Sequence, residues 1–404
     1  AHATKTSLAR VVTNTHPVSS DGMKISEPSH ESSSKYSPRQ IGKTSLLERT
    51  FSHYRYVSLD LPSHADMAET RPTEFLERHP PPLILDEVQY APALFRHLKA
   101  HVDSHRGETG QFLLTGSQDF PLMRNASESL AGRAAVIRFQ SLSASEWSAV
   151  DALTRRYTWR EFVWKGGFPG LWENLDRSPS RDRWYQGYVA TYLERDIRSL
   201  LGTGNLRDFE RFLRACAART AQTLNMAEIG RDVGISSPTV RNWLDALQAS
   251  GQILLLEPYH RSMGQRIVKS PKLYFADTGL AAFLMGFASA DALWASSAIG
   301  ALFENHVVSQ WLRWRDWHQP SAALWYWRNK SGAEVDLLVE LDGHLHAIEC
   351  KVTQRPHPRD GRGIRALREL YGDAVAPEAL IACTTDHPFE LTRREARNSS
   401  EPPV

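Results

Sequence analysis

Ser37-Pro38-Arg39-Gln40-Ile41-Gly42-Lys43-Thr44 is the stretch on which the reading of this chain turns. It fits the spacing GxxxxGK[ST] at every fixed position but the first, where Ser37 stands in place of glycine. That spacing builds a turn whose backbone N–H groups encircle phosphate oxygens, with a lysine reaching the β/γ oxygens and a hydroxyl on Mg²⁺. Gln40, Gly42, Lys43, Thr44 and Ser45 are therefore candidate nucleotide-binding residues, and Thr44 is a candidate metal ligand. Residues 45–49 can start a helix whose N-terminus faces the same phosphates.

A GKT triplet alone is weak, because any basic turn can supply it. The second half of the pattern is Leu83-Ile84-Leu85-Asp86-Glu87, an apolar run ending in two acids, 43 residues after Lys43. At the carboxyl end of a buried strand, Asp86 can hold Mg²⁺ through water and Glu87 can polarise the attacking water. Gln111-Phe112-Leu113-Leu114-Thr115-Gly116-Ser117-Gln118 reads as a further buried strand ending in small polar groups. There Ser117 or Thr115 either senses the γ-phosphate or caps the following turn. Strand-like runs at 54–60, 82–86, 112–115 and 134–139 alternate with amphipathic stretches such as 93–102, where Leu94, Leu98 and Val102 keep helical spacing. The expected class is α/β: a P-loop parallel three-layer ATPase core.

Upstream of the loop, residues 1–36 are expected to be disordered, because 18–35 is rich in Ser, His, Glu and Pro with few large apolar groups. Residues 31–36, Glu-Ser-Ser-Ser-Lys-Tyr, read as no central strand, and the apolar run 8–12 lies too far away to feed the loop. Downstream, 157–218 reads as helical and rich in Arg and aromatics, broken by Gly166-Gly167-Phe168-Pro169-Gly170. Residues 226–234 form a helix closing on glycine, 235–238 a turn, and Thr239, Val240, Trp243, Leu244 and Leu247 a second amphipathic helix. Residues 251–257 then supply the strand of a wing. The second helix offers Ser237, Thr239, Arg241 and Asn242 to a DNA groove, though with a single basic residue; such units also serve as protein contacts or lids.

Toward the C-terminus, 334–341 and 346–351 read as a β-hairpin with Asp342-Gly343 at its tip. Asp336, Glu349 and Lys351 form a D-x(n)-E-x-K arrangement. Asp336, Glu349 and the Cys350 carbonyl can hold Mg²⁺, with Glu304 of the preceding helix adding a carboxylate and Lys351 stabilising an attacking water or phosphate charge. Charged residues beside a hairpin are also common without any metal.

The runs PRQIGKTSLL, YVSLD, LILDEVQ, FLLTGSQ and SLAGR together resemble a group of prokaryotic AAA+ superfamily ATPases, over residues 38 to about 385. That resemblance implies a helical and winged-helix domain after the ATPase core and a restriction-endonuclease-like α/β domain of the PD-(D/E)xK type at the end. It also implies ATP and Mg²⁺ as ligands, a sensor at Ser117, and an arginine finger at Arg133 acting on a neighbour's nucleotide in a homo-oligomer. The expected division is 1–36 disordered, 37–150 ATPase core, 151–218 helical lid or linker, 219–262 winged helix, 263–295 connector, 296–386 nuclease-like domain and 387–404 polar tail.

Composition sets outer bounds. The 404 residues carry a formal net charge of +2, which permits a DNA partner without demanding one. Cys216, Cys350 and Cys383 are far apart, which fits a reducing cytosol, and no apolar run approaches the roughly 18 residues of a membrane span. A cytoplasmic ATP hydrolase acting on or with DNA is the leading expectation. A nucleotide-binding module with little turnover, or a Mg²⁺-dependent DNA nuclease on an inactive ATPase core, are the alternatives.

Overall fold

The computed structural model describes residues 9–12, 32–36, 41–105, 107–116, 130, 133–146, 158–172, 180–190, 206–260, 270–385 and 389–391. Its first sheet runs β3 (Arg55–Ser58), β4 (Leu83–Asp86), β5 (Phe112–Gly116), β2 (Ser32–Tyr36), β6 (Ala134–Arg138), with every pair parallel. Successive strand residues point to opposite faces, and the core clusters divide accordingly. Leu83, Leu85, Phe112 and Leu114 pack with Met67 of α2 (Pro62–Thr70), Phe75 of α3 (Pro72–Arg78) and Leu94 and Leu98 of α4 (Leu94–Ser104). Ile84 and Leu113 pack on the other face with Leu47 of α1 (Lys43–Thr50). Helices therefore cover both faces, and each fully buried leucine contributes about 1.5–3 kcal/mol to holding the layers together.

The stretch before the phosphate loop corrects the sequence expectation. Ser32–Tyr36 is a central strand, with Ser33 opposite Leu113 on one side and Ser32 opposite Ala134 on the other. A ladder is made of N–H and C=O groups, which serine supplies as well as valine does, so position in the sheet overrides side-chain propensity here. Disorder throughout 1–36 is likewise not observed, because β1 (Ala9–Val12) pairs parallel with β12 (Leu380–Cys383) and antiparallel with β13 (Phe389–Leu391). β13 lies in what reads as a polar tail, at one edge of the sheet it forms with β1.

Between the sheets, α5 (Trp159–Lys165), α6 (Arg181–Tyr188), α7 (Leu206–Ala217), α8 (Met226–Val233), α9 (Ser237–Ala249), α10 (Thr278–Leu284) and α11 (Ala290–Trp294) share one hydrophobic core with the two-stranded antiparallel ribbon of β7 (Ile253–Leu256) and β8 (Lys272–Phe275). Lid, winged unit and connector thus do not have separate cores, and β8 belongs with β7 although it lies beyond residue 262. Asn225 and Ser236 cap α8 and α9 by accepting from the Glu228 and Thr239 amides, which starts each helix where the sequence indicates.

The second sheet runs β13, β1, β12, β11 (His344–Lys351), β10 (Glu334–Leu341), β9 (Ala323–Arg328). α12 (Ile299–His318) and α13 (Arg362–Tyr371) pack on it. Asp342 and Gly343 at φ 51° and 79° make the two-residue turn between β10 and β11.

Candidate functional site

The carboxyl ends of β4 and β5 meet the start of α1. Gly42 caps α1 at φ 84°, a left-handed conformation that a Cβ would strain, and this conformation sends Lys43 back toward the sheet. Lys43 is buried and donates to the Gly116 carbonyl at the end of β5, at 2.9 Å. The Thr44 hydroxyl donates to Asp86 Oδ2 at 3.0 Å, which joins the two halves of the sequence pattern in one site. Asp86 also accepts from the Tyr56 hydroxyl at 2.6 Å and from the Glu87 amide at 3.1 Å. Burial, then the hydrogen bond to Asp86 and its charge, raises the Tyr56 phenol above its ordinary pKa and keeps it a donor.

Glu87 sits at φ 56°, a left-handed conformation uncommon for a side chain other than glycine and one that clusters at functional sites. Gln89 donates its amide to Glu87 Oε2, so the carboxylate is aimed by a neighbour two residues on. Thr115 is fully buried, and among the described residues its hydroxyl has no hydrogen-bond partner. By strand alternation it shares the α1 face with Leu113. A lysine, two hydroxyls and two carboxylates at the mouth of a parallel sheet suit a nucleotide polyphosphate with Mg²⁺.

Sequence reasoning missed Tyr56 and Gln89. Tyr56→Phe is expected to cost about 1–2 kcal/mol, because it removes a partly buried hydrogen bond to a carboxylate. Urea unfolding of the variant against the parent measures it.

The other expected site residues divide. Ser45 is exposed in the first turn of α1, while Gln40 and Ser117 lie outside the described residues. Arg133 precedes β6 and its guanidinium Nε donates to Asp103 Oδ1 of α4 at 2.7 Å, both side chains being about one-third exposed. The hydrogen bond to Asp103 raises the Arg133 pKa further above its ordinary value.

Glu304, Asp336, Glu349 and Lys351 do converge between α12, β10 and β11, but with cations already among them. Lys272 of β8 bonds Glu304 Oε1 at 2.8 Å, pairs with Glu334, and lies 3.8 Å from Asp336 Oδ1. Lys351 donates to Glu349 Oε1 at 2.6 Å and to the Cys350 carbonyl at 3.1 Å. Asp336 Oδ2 accepts from the Cys350 amide at 2.8 Å. Burial, then the charge of Asp336, pushes the Glu304 carboxyl up to about 7 and raises Glu349 as well. Among the described residues no three of His, Cys, Asp and Glu come together to hold a metal ion. The expected Mg²⁺ cage of Asp336, Glu349 and Glu304 therefore does not fit as arranged, because ammonium and amide groups hold the oxygens it needs.

Residues 37–148 match the family described as an AAA domain; 156–291 match a domain of unknown function (DUF8612) and 299–399 another (DUF4143). Two mycobacterial proteins, "Uncharacterized protein Rv2008c" of Mycobacterium tuberculosis and "Uncharacterized protein Mb2031c" of Mycobacterium bovis, are each 30% identical over 358 residues, which is 88% of this chain and 77% of theirs. The chain belongs to their family. Its first matched region is an AAA-type P-loop ATPase domain, a class that binds nucleotide, typically with Mg²⁺. The T158V variant of Thermotoga maritima RuvB is 15% identical over 56% of this chain and 82% of its own, with a TM-score of 0.29. Among the described residues no helix is long and apolar enough to cross a membrane.

Proposed function

We propose that the chain hydrolyses ATP with Mg²⁺, and that the helical unit and C-terminal sheet carry the resulting movement to a DNA partner. The observation that carries the first part is the Thr44–Asp86 hydrogen bond, 3.0 Å long, which joins the loop to the acidic strand. In this reading Lys43 holds the γ-phosphate, Thr44 and Asp86 hold the metal, and Glu87, aimed by Gln89, takes the proton of the attacking water. Bound Mg²⁺ neutralises charge on the phosphates. Gln40, Gly42 and Ser45 complete the phosphate cradle, and Ser117 is the sensor.

Arg133 is the residue we assign to a neighbouring copy's nucleotide. Its pair with Asp103 is partly exposed and screened by solvent, so a phosphate offered by a second copy can compete for the guanidinium. The DNA part rests on α8, α9 and the β7–β8 ribbon, read as a winged helix. Arg241, Asn242 and Ser237 are exposed on α9, with Asp245 limiting the positive charge. The C-terminal domain acts in this reading as a recognition module, because its carboxylates are held by lysines.

Phosphate release from ATP is expected to require Mg²⁺ and to change when duplex DNA is added. No release at saturating ATP would overturn the hydrolase reading. Release indifferent to DNA, with no DNA binding in an anisotropy titration, would remove only the second part.

A further inference from the structure

We propose that Lys272 is the resident cation of the C-terminal carboxylate cluster, and that a divalent ion can bind there only once this ammonium is removed or withdrawn. Lys272 is 3% exposed, although a lysine ordinarily keeps its charge in water. Tyr274, two residues on and on the same strand face, donates to the same Glu304 Oε1 at 2.6 Å, so β8 sends both a charge and a hydroxyl into the cluster. Burial alone would pull the ammonium toward neutrality, but Glu304, Asp336 and Glu334 more than offset it and raise its pKa.

The backbone is shaped for this arrangement. Val335 pairs with Trp327 but Leu338 with Trp325, so β10 carries one extra residue there, a β-bulge. Val335 and Leu338 consequently face the core of α13, while Leu337 and Val339 face that of α12. The bulge changes the strand's phase at Asp336, whose carboxylate lies toward Lys272.

Charge explains why a cation is needed. Glu304, Glu334, Asp336 and Glu349 bring four carboxylates against two ammonium groups, with the Arg328 guanidinium touching Glu334 from outside at 3.6 Å. Glu349 is 7% exposed, and its Oε2 is buried without a hydrogen-bond partner among the described residues. An orphaned carboxyl oxygen in a cluster of four acids is what a hard cation seeks. An ammonium holds its carboxylates at hydrogen-bond distance, wider than the roughly 2.0–2.6 Å of Mg²⁺ or Ca²⁺ to oxygen. That spacing accounts for four acids in one place without a metal cage. Lys272 shares the β8 face of Tyr274, which packs in the C-terminal core, while Leu273 and Phe275 pack in the core of the preceding unit, so the charge reaches the cluster from outside the C-terminal domain.

The test is Mn²⁺ binding to the full chain without nucleotide, by calorimetry and electron paramagnetic resonance. Every protein carries Asp86→Asn, so that the phosphate-loop site does not contribute and the outcome is independent of ATP hydrolysis. Lys272→Met is expected to gain one Mn²⁺ site at least about tenfold tighter than its parent, equivalent to about 1.4 kcal/mol. Adding Glu349→Gln is expected to weaken it again, and Lys272→Arg to create no site. Should Lys272→Met unfold without metal, Mn²⁺ is expected to restore its thermal melt. Equal binding by the parent and Lys272→Met, or an unfolded variant that Mn²⁺ does not recover, overturns the proposal.

Discussion

Replacing Lys43 by alanine is expected to lower Mg²⁺-dependent ATP turnover by about two to three orders of magnitude, the usual loss when a preorganised charge is removed from a developing oxyanion. The expectation rests on how the side chain is held. Lys43 is 9% exposed, its ammonium is anchored to the Gly116 carbonyl, and its backbone opens α1. A charge fixed in that way needs no reorganisation when phosphate charge develops, which is why it stabilises the transition state more than a solvated lysine would. Loss of the hydrogen bond to the Gly116 carbonyl costs about 1 kcal/mol of stability, so a folded but inactive protein is the expected outcome. Steady-state phosphate release alongside a urea melt separates the two effects. Turnover equal to the parent's in a folded variant would remove Lys43 from the chemistry.

The fold was legible where short-range patterns decide it. From residue 302 to residue 383 the sequence reads helix, three strands, helix, strand, and α12, β9, β10, β11, α13 and β12 follow in that order. The Asp342-Gly343 turn needs two left-handed residues, and that requirement is visible from the dipeptide alone. β1, β2 and β13 were not legible, because each is three to five residues long and finds its partners far away in the chain. Arg10 pairs with Leu380, and Ser34 with Leu114. Serine-rich β2 carries no apolar signal; what places it is its connection to the phosphate loop at one end and two empty ladders on either side.

Site residues divided by the same logic. Thr44 and Asp86 were legible because the loop and the acidic strand each carry their own pattern, and the chemistry requires them to meet. Tyr56 and Lys272 were not: Tyr56 opens the run YVSLD, which by itself assigns it no chemistry, and Lys272 lies in no motif. The signal for Lys272 is a lysine at the head of the otherwise apolar run Lys272-Leu273-Tyr274-Phe275. A charge in a strand buried along its length has to be matched by acids from elsewhere, and here they come from α12 and β10, 32 or more residues away. The same arithmetic explains why the D-x(n)-E-x-K pattern looked like a metal site: its acids are present, and the cation facing them came from outside the motif.

Asp277→Ala is expected to be the most destabilising single substitution outside the apolar cores, at about 3–5 kcal/mol, because it orphans several buried donors at once. Asp277 is 4% exposed and caps α10 by accepting from the Leu280 amide at 3.0 Å. It also accepts from the Tyr185 hydroxyl at 2.8 Å, the Gly167 amide at 2.7 Å and the Ser141 hydroxyl at 3.1 Å. Gly166 is at φ 79°, and a Cβ there would lie 2.1 Å from Asp277 Oδ1, so the Gly166-Gly167 pair lets the loop approach the carboxylate. Arg313 of α12 closes the arrangement, donating to the Ser141 hydroxyl at 2.8 Å and to the Ser141 carbonyl at 2.9 Å. Ser141 follows the ATPase sheet, Gly167, Tyr185 and Asp277 belong to the middle unit, and Arg313 lies on the first helix of the C-terminal domain. The Asp277 carboxylate and the Arg313 guanidinium, meeting at Ser141, thus tie together parts of all three regions that match separate families. Asp277→Asn keeps the shape but turns an amide toward groups that are themselves donors, so it is expected to recover only part of the loss. Denaturant melts followed at Trp fluorescence would rank parent, asparagine and alanine in that order. An alanine variant within about 1 kcal/mol of the parent would mean that water replaces the carboxylate, and that the three regions are held together elsewhere.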